Sequence, residues 1–238
     1  MSNGPLAVEW GNWAMAEPRA GTRMAATLEL VNAGSMAWGD GVFASYHWLD
    51  DRGNPIVWDG IRTAVPPIAP GERTHVAVDV RAPIPPGRYR LAFDMVSEHR
   101  AWFSELGSAM LERDLRVEPR VQEPNALVPP DVVPAPDWAE HIRAAHADGY
   151  AVVAGAIAWD GGLLSPRPRA LAQYEPGSGR VPGFTAPLIC PSVADGVELD
   201  RLEDVAGLPA YAAPRDEPWI YDGRAVLTVR PRSGRRPT

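Results

Sequence analysis

The chain has 238 residues, 45% hydrophobic and 22% charged, a composition that is globular and neither disordered nor membranous. A formal net charge of −7 leaves no polyanion footprint and argues against nucleic acid as a partner. Twenty-six prolines and 22 glycines suit many short strands joined by turns, because proline removes a backbone donor and glycine weakens a helix interior.

Residues 1–120 repeatedly alternate apolar and polar positions with period two, the signature of half-buried strands. "TRMAATLELVN" places Met24, Ala26, Leu28 and Leu30 on one face, and "THVAVDV" does the same with Val76, Val78 and Val80. "GRYRLAFDMV" turns Tyr89, Leu91, Phe93 and Met95 inward and Arg88, Arg90 and Asp94 outward; "LERDLRVE" follows less regularly with Leu111, Leu115 and Val117. The connections "NAGS", "DDRGN", "APGE" and "PPG" carry turn chemistry, proline presetting φ and glycine accepting positive φ. Seven or eight short strands cannot leave one apolar face wet. Two facing sheets, an antiparallel β-sandwich of immunoglobulin type, are predicted.

Residues 121–136 belong to a stretch with five prolines up to residue 137 and no usable period, which reads as a Pro-rich linker of extended polyproline character. A small α+β domain is predicted for residues 137–238. It opens on the helix "PDWAEHIRAAHADGY", with Asp137 as cap, Glu140 completing a capping box and Gly149 closing it. "YAVVAGAI" reads as a buried strand and "RAVLTVR", residues 224–230, as the last one. The fold class is thus mainly β, with a sandwich, a linker and a small α+β domain.

The densest stretch is "SYHWLDDRGNPIVWDGIRT", residues 45–63. Tyr46 and Trp48 share one strand face, Ser45, His47 and Leu49 the other. A tryptophan on the third strand is a core anchor of such sandwiches, which puts Trp48 inside and leaves His47 on the outer face, exposed or half-exposed. Trp58, at the far strand end beside Asp59 and Arg62, is free to present an aromatic platform. "WDG" at 58–60 and 159–161 and "YDG" at 221–223 follow no fixed period. They read as three separate turns in which Asp-Gly supplies positive φ.

No phosphate-binding loop, dinucleotide fingerprint or nucleophile elbow is present. His141 and His146 stand five apart, about 140° around a helix axis, and cannot grip one metal together. No metal, cofactor or catalytic residue is predicted. Cys190, the single cysteine, excludes an internal disulfide and reads, beside Leu188 and Ile189, as a small buried hydrophobe. Asp59, Asp94 and Glu98, with His99 among them, offer a carboxylate pair for glycoside hydrolysis, a role that depends on a set separation; solvated loop charge is the plainer account. Trp58, Asp59, Arg62, Glu98 and Trp102 instead form the candidate ligand-binding rim, since aromatic faces with a few aimed polar groups suit sugars.

The absence of lysine, all 23 basic residues being arginine, matches the codon bias of a GC-rich genome. Arg230, Arg232, Arg235 and Arg236 form the one basic cluster and read as a solvated terminus. "MSNGPLAVEW" has no basic region followed by an apolar stretch, and the longest apolar run, residues 150–159, is too short to span a bilayer. A soluble, cytoplasmic protein is expected.

Asn32 with Gly34 and Trp38, the "YHW" strand, "GIRT", "PGE", "PPGRYRL" and Trp102–Phe103 resemble an Ig-like module attached to bacterial polysaccharide-biosynthesis proteins, including glycosyltransferases. More distantly they are similar to the four-tryptophan Ig-like domain of autophagy receptors, a protein-interaction module. The turn order is also similar to that of the sugar-recognising sandwiches of O-antigen exporters. "GFTAPLICPS" and "EPWIYDGRAVL" resemble segments that accompany such modules in actinobacterial glycosyltransferase-like proteins. The chain lacks the nucleotide-binding βαβ domain and the Asp-x-Asp motif of a full transferase, so the resemblance implies an accessory role only. It implies a non-catalytic protein of an envelope-polysaccharide pathway that recognises a glycan or a partner enzyme. The alternatives are a glycan hydrolase or transferase with its site between the two domains, and a structural or assembly subunit.

Overall fold

The computed structural model describes residues 4–126, 128–161, 165–177, 180–181 and 186–230. The basic terminus beyond Arg230 and residues 183–185 of "GFTAPLICPS" lie outside them. Two compact units divide the chain, Met1–Glu118 and Pro119–Thr238.

The first unit holds β1 (Val8–Met15), β2 (Arg23–Asn32), β3 (Val42–Leu49), β4 (Pro55–Val57), β5 (Thr63–Ala64), β6 (Arg73–Arg81), β7 (Gly87–Ser97), β8 (Ala101–Trp102) and β9 (Leu111–Val117). They form two antiparallel sheets: β1-β2-β6, and β4-β3-β7-β8 with β5 beside β3 and β9 beside β7. The result is an Ig-like β-sandwich. Its core takes Ala26, Leu28 and Leu30 of β2, Val76, Val78 and Val80 of β6, and Leu91, Phe93 and Met95 of β7, the residues the alternation selects. Trp48 is fully buried among them.

Two side chains of β3 cross the sandwich to one residue. The Tyr46 hydroxyl accepts the Arg81 N–H at 3.0 Å, and the Trp48 indole N–H donates to the Arg81 carbonyl at 2.9 Å. Asn32 ties a loop: its amide donates to the Met36 and Ile68 carbonyls and its oxygen accepts the Gly34 N–H. Trp38 then meets Phe103 edge-on, with centroids 5.7 Å apart. These motif residues hold the fold together.

The second unit holds β10 (Val132–Pro134), α1 (Trp138–Ala147), β11 (Val152–Trp159), β12 (Arg180–Val181), β13 (Leu188–Ile189), β14 (Ser192–Val193), β15 (Ala210–Tyr211) and β16 (Trp219–Val229). Its main sheet runs β10-β16-β11-β14, with β12 on β16; β11 and β16 pair in parallel, and β13 and β15 form a separate pair. The helix buries Trp138, Ile142 and Ala145. Its expected capping box does not form: the Asp137 side chain makes no cap bond and pairs with His141 at 3.3 Å.

The Pro-rich stretch is also more than a spacer. Val132–Pro134 adds an edge strand to β16, a position where proline's missing donor costs nothing, and Asn125 bonds to Ser192 and Val193. "YDG" is no turn either. Asp222 and Gly223 sit inside β16 at a bulge opposite Gly155, where a Cβ would stand 2.0 Å from the Ala225 carbonyl oxygen. Asp222 is buried there; burial alone would raise its pKa, but Arg224 and Arg180 outweigh that and hold it below the usual carboxylate value.

His146 of α1 is buried with both ring nitrogens engaged. A carbonyl only accepts, so Nδ1–H donates to the Tyr150 oxygen at 2.8 Å, and Nε2 accepts the Ser192 hydroxyl at 3.0 Å. Burial lowers its pKa, the Tyr150 carbonyl opposes that shift, and the Arg120 charge adds to it. The folded state therefore keeps the neutral ring while the unfolded chain takes a proton near pH ~6.5. Stability is full above that pH and declines as pH falls towards the lower folded pKa. Thermal melts between pH 7.5 and 5 should show a falling Tm that flattens in His146→Gln. Equal slopes in the two proteins would refute this account of His146.

Candidate functional site

The outer face of the larger sheet positions the site. On β3 it presents Ser45, His47 and Leu49; across the ladder on β7 stand Asp94 opposite Ser45, Ala92 opposite His47 and Arg90 opposite Leu49. Beyond β7 the chain turns at Glu98–Arg100, with His99 at φ 59°, and returns as β8, which puts Trp102 beside Val96. Beyond β4 the loop 58–62 folds back over β3, anchored where the Gly60 N–H donates to the Tyr46 carbonyl at 3.1 Å.

That fold-back changes the status of His47. The sequence points to an exposed or half-exposed imidazole; in the structure it is 0% exposed, under Trp58 and Trp102. Trp58 stacks on it at 4.0 Å with planes 17° apart, and Trp102 meets it edge-on at 4.5 Å. His47 Nδ1 bonds to the Trp58 carbonyl, which fixes the proton on that nitrogen. Nε2 has no hydrogen-bond partner and faces the equally buried Asp94 carboxylate at 3.7 Å. Asp94 in turn accepts the Met95 N–H at 2.7 Å and the Ser104 hydroxyl at 2.5 Å.

The five residues of the predicted rim come together above this layer. Trp58 and Trp102 lie 6.4 Å apart at 67°, and Trp58 stays 44% exposed although it rests on His47. The Arg62 guanidinium sits 4.6 Å over the Trp102 ring. Asp59 at 2.5 Å and Glu98 at 3.2 Å pair with it, and it donates to the Ser45 hydroxyl and the Gly60 carbonyl. The result is an indole platform with a fixed underside, edged by a locked Arg–carboxylate triad. Asp59 and Glu98 are thus committed to Arg62, and Asp94 lies under the surface. His47, Ser45 and Ser104 are the members that sequence reasoning missed as site residues; Asp94, offered there as a candidate carboxylate, lies buried beneath the platform. The period-two pattern does put His47 on the right face; what it cannot show is that Trp58 returns over it.

Gly60 does not serve the positive φ its Asp-Gly context suggests, for its φ is not positive. It serves close approach: a Cβ there would stand 2.4 Å from the Tyr46 carbonyl oxygen. In the second unit Cys190 is buried and its thiol is pushed up to about 12, first by burial, so it stays protonated. Among the described residues no three His, Cys, Asp or Glu side chains gather as a metal-holding group.

A family model described as the Ig-like domain from next to BRCA1 gene matches residues 15–106. This stretch has an Ig-like fold. No curated protein matches the chain. Among solved structures, it is similar to the C-terminal domain of Wzt at 10% identity, over 49% of this chain and 75% of that one, with a TM-score of 0.32. It is similar to a β-glucosidase from Listeria innocua, solved with glucose, at 15% identity and a TM-score of 0.32, over 47% of this chain but only 16% of the enzyme. The putative ApaA protein from Bordetella pertussis matches at 19% identity, over 48% of this chain and 90% of that one, with a TM-score of 0.23.

Gly60→Ala should destabilise the protein by ~1–3 kcal/mol, the range for overpacking a closed site, and loosen Trp58 from His47. Thermal denaturation with tryptophan fluorescence checks this; a variant as stable as the parent, with an unchanged spectrum, would contradict the close packing.

Proposed function

We propose that the first unit is a glycan-recognition module and that the chain serves an envelope-polysaccharide pathway as a non-catalytic accessory protein. The observation that carries this reading is Trp58, nearly half exposed yet held flat on a buried imidazole. A sugar ring presents an apolar face of C–H groups to such an indole, and the surrounding polar groups fix its orientation. A platform anchored before the ligand arrives loses little freedom on binding, which favours affinity from a small contact. The Asp59–Arg62–Glu98 triad holds the rim around that indole in shape. The resemblance of residues 32–103 to modules on polysaccharide-biosynthesis proteins supports the pathway. Two further features favour binding over catalysis: the Cys190 thiol is unionised, and the Asp59 and Glu98 carboxylates are spent on Arg62.

A protein partner is the second reading, favoured by Ile56, 45% exposed on β4 at the sheet edge two residues before Trp58. An edge strand with an exposed apolar side chain is a place where another chain can add.

A thermal-shift screen against bacterial glycan fragments and nucleotide sugars separates the two. Ligand at 100-fold its Kd adds about 2.7 kcal/mol to stability, an easily read rise in Tm. The rise should vanish in Trp58→Ala and weaken in Trp102→Ala. Sugar binding left intact by both substitutions would sink the site.

A further inference from the structure

The same outer sheet face carries a second feature beyond the aromatic platform. Following β7 away from His47's partner Ala92, alternate residues Arg90 and Arg88 point to the same side, and β9 sets Asp114 opposite Arg90 and Arg116 opposite Arg88. A cavity of about 410 Å³ opens here, lined by these four residues together with Asp50 and Asp51 at the β3–β4 turn.

The charges in this cavity are unevenly satisfied. Asp114 pairs with Arg90 at 2.9 Å, and Arg116 with Glu118 at 2.8 Å. Asp50 spends its oxygens on its own turn, accepting the Arg52 and Asn54 N–H groups and the Asn54 amide. Arg88 makes no ion pair among the described residues, and its direct cross-strand neighbour is another arginine. Like charges directly opposed on a sheet repel, and an anion between them removes the penalty. Directly opposed positions on one sheet face bring their side chains within reach of one ligand group, and guanidinium groups match the planar oxygens of a carboxylate or phosphate.

From Ala92 to Arg88 is four residues, about 13 Å along an antiparallel strand. A saccharide stacked on Trp58 and running along the strands reaches the arginine pair if it is several sugars long. Building on the glycan reading above, we propose that the ligand is an acidic oligosaccharide, one sugar on Trp58 and an anionic substituent, carboxylate or phosphate, between Arg88 and Arg116.

Calorimetric titration of the full chain at low and high salt tests this with three probes: an oligogalacturonate, its neutral methyl ester, and an oligomer of glycosyl phosphates. At least one acidic probe should bind more tightly than the ester, and which one does so distinguishes carboxylate from phosphate. Arg88→Ala should weaken that probe about tenfold, leave the ester unchanged and reduce the salt dependence. Arg88 is exposed, so the variant folds; relief of the repulsion should hold or slightly raise its Tm. Trp58→Ala should weaken all probes. Acidic and neutral probes binding equally, or Arg88→Ala binding like the parent, would overturn the acidic assignment while leaving the glycan reading standing. No binding of any probe would overturn both.

Discussion

Tyr46 and Trp48 grip Arg81 from across the sandwich, one accepting its N–H and the other donating to its carbonyl. Both side chains must then face the core, and strand geometry leaves no choice for their neighbours: Ser45, His47 and Leu49 go to the opposite face. A histidine on the outside of a sheet would ordinarily be solvated. Here the outer face is roofed, by the loop that Gly60 anchors to Tyr46 and by the hairpin that returns Trp102 over the sheet. β3 is therefore buried on both faces, core on one side and site on the other.

The chemistry of the outer face follows from which charges are already spent. Arg62 is enclosed by Asp59, Glu98, Ser45 and the Trp102 ring, so its part is to hold the rim in shape. Beneath, Asp94 receives Ser104 and the Met95 N–H and looks at His47 without bonding to it. Arg88, further along the same strand, has no such company. One end of the face is thus aromatic and pre-set, the other holds an arginine without an ion pair among the described residues, and the two lie along one strand direction.

Much of the first unit was legible as alternation, because a half-buried strand writes its two faces into every second residue: the inward sets on β2, β6 and β7, and Trp48 itself, all follow it. The aromatic rim was legible too, since Trp58, Asp59 and Arg62 lie within five residues and Trp102 follows Glu98 by four. His47 was misplaced because alternation reports which face a residue takes and says nothing of what later chain covers that face. The Asp-Gly triplets misled for a related reason. Glycine is needed where φ is positive and where two backbones touch, and Gly60 and Gly223 answer to the second need, which depends on contacts distant in sequence. The second unit was harder still. Its strands are short or, like β16, interrupted by a bulge at which Asp222 pairs with Arg224 and Arg180, and a proline-rich edge strand carries no period to find.

Oxidative footprinting of the tryptophans tests the central claim, that Trp58 on its buried imidazole is the glycan platform, most directly. Hydroxyl radicals would be applied to the full chain with and without saturating oligogalacturonate, with Trp10 and Trp13, half-buried on β1, as internal references. Oxidation of Trp58 and Trp102 should slow while that of Trp10 and Trp13 does not. Unchanged oxidation of Trp58, or protection confined to Trp219 in the second unit, would contradict it.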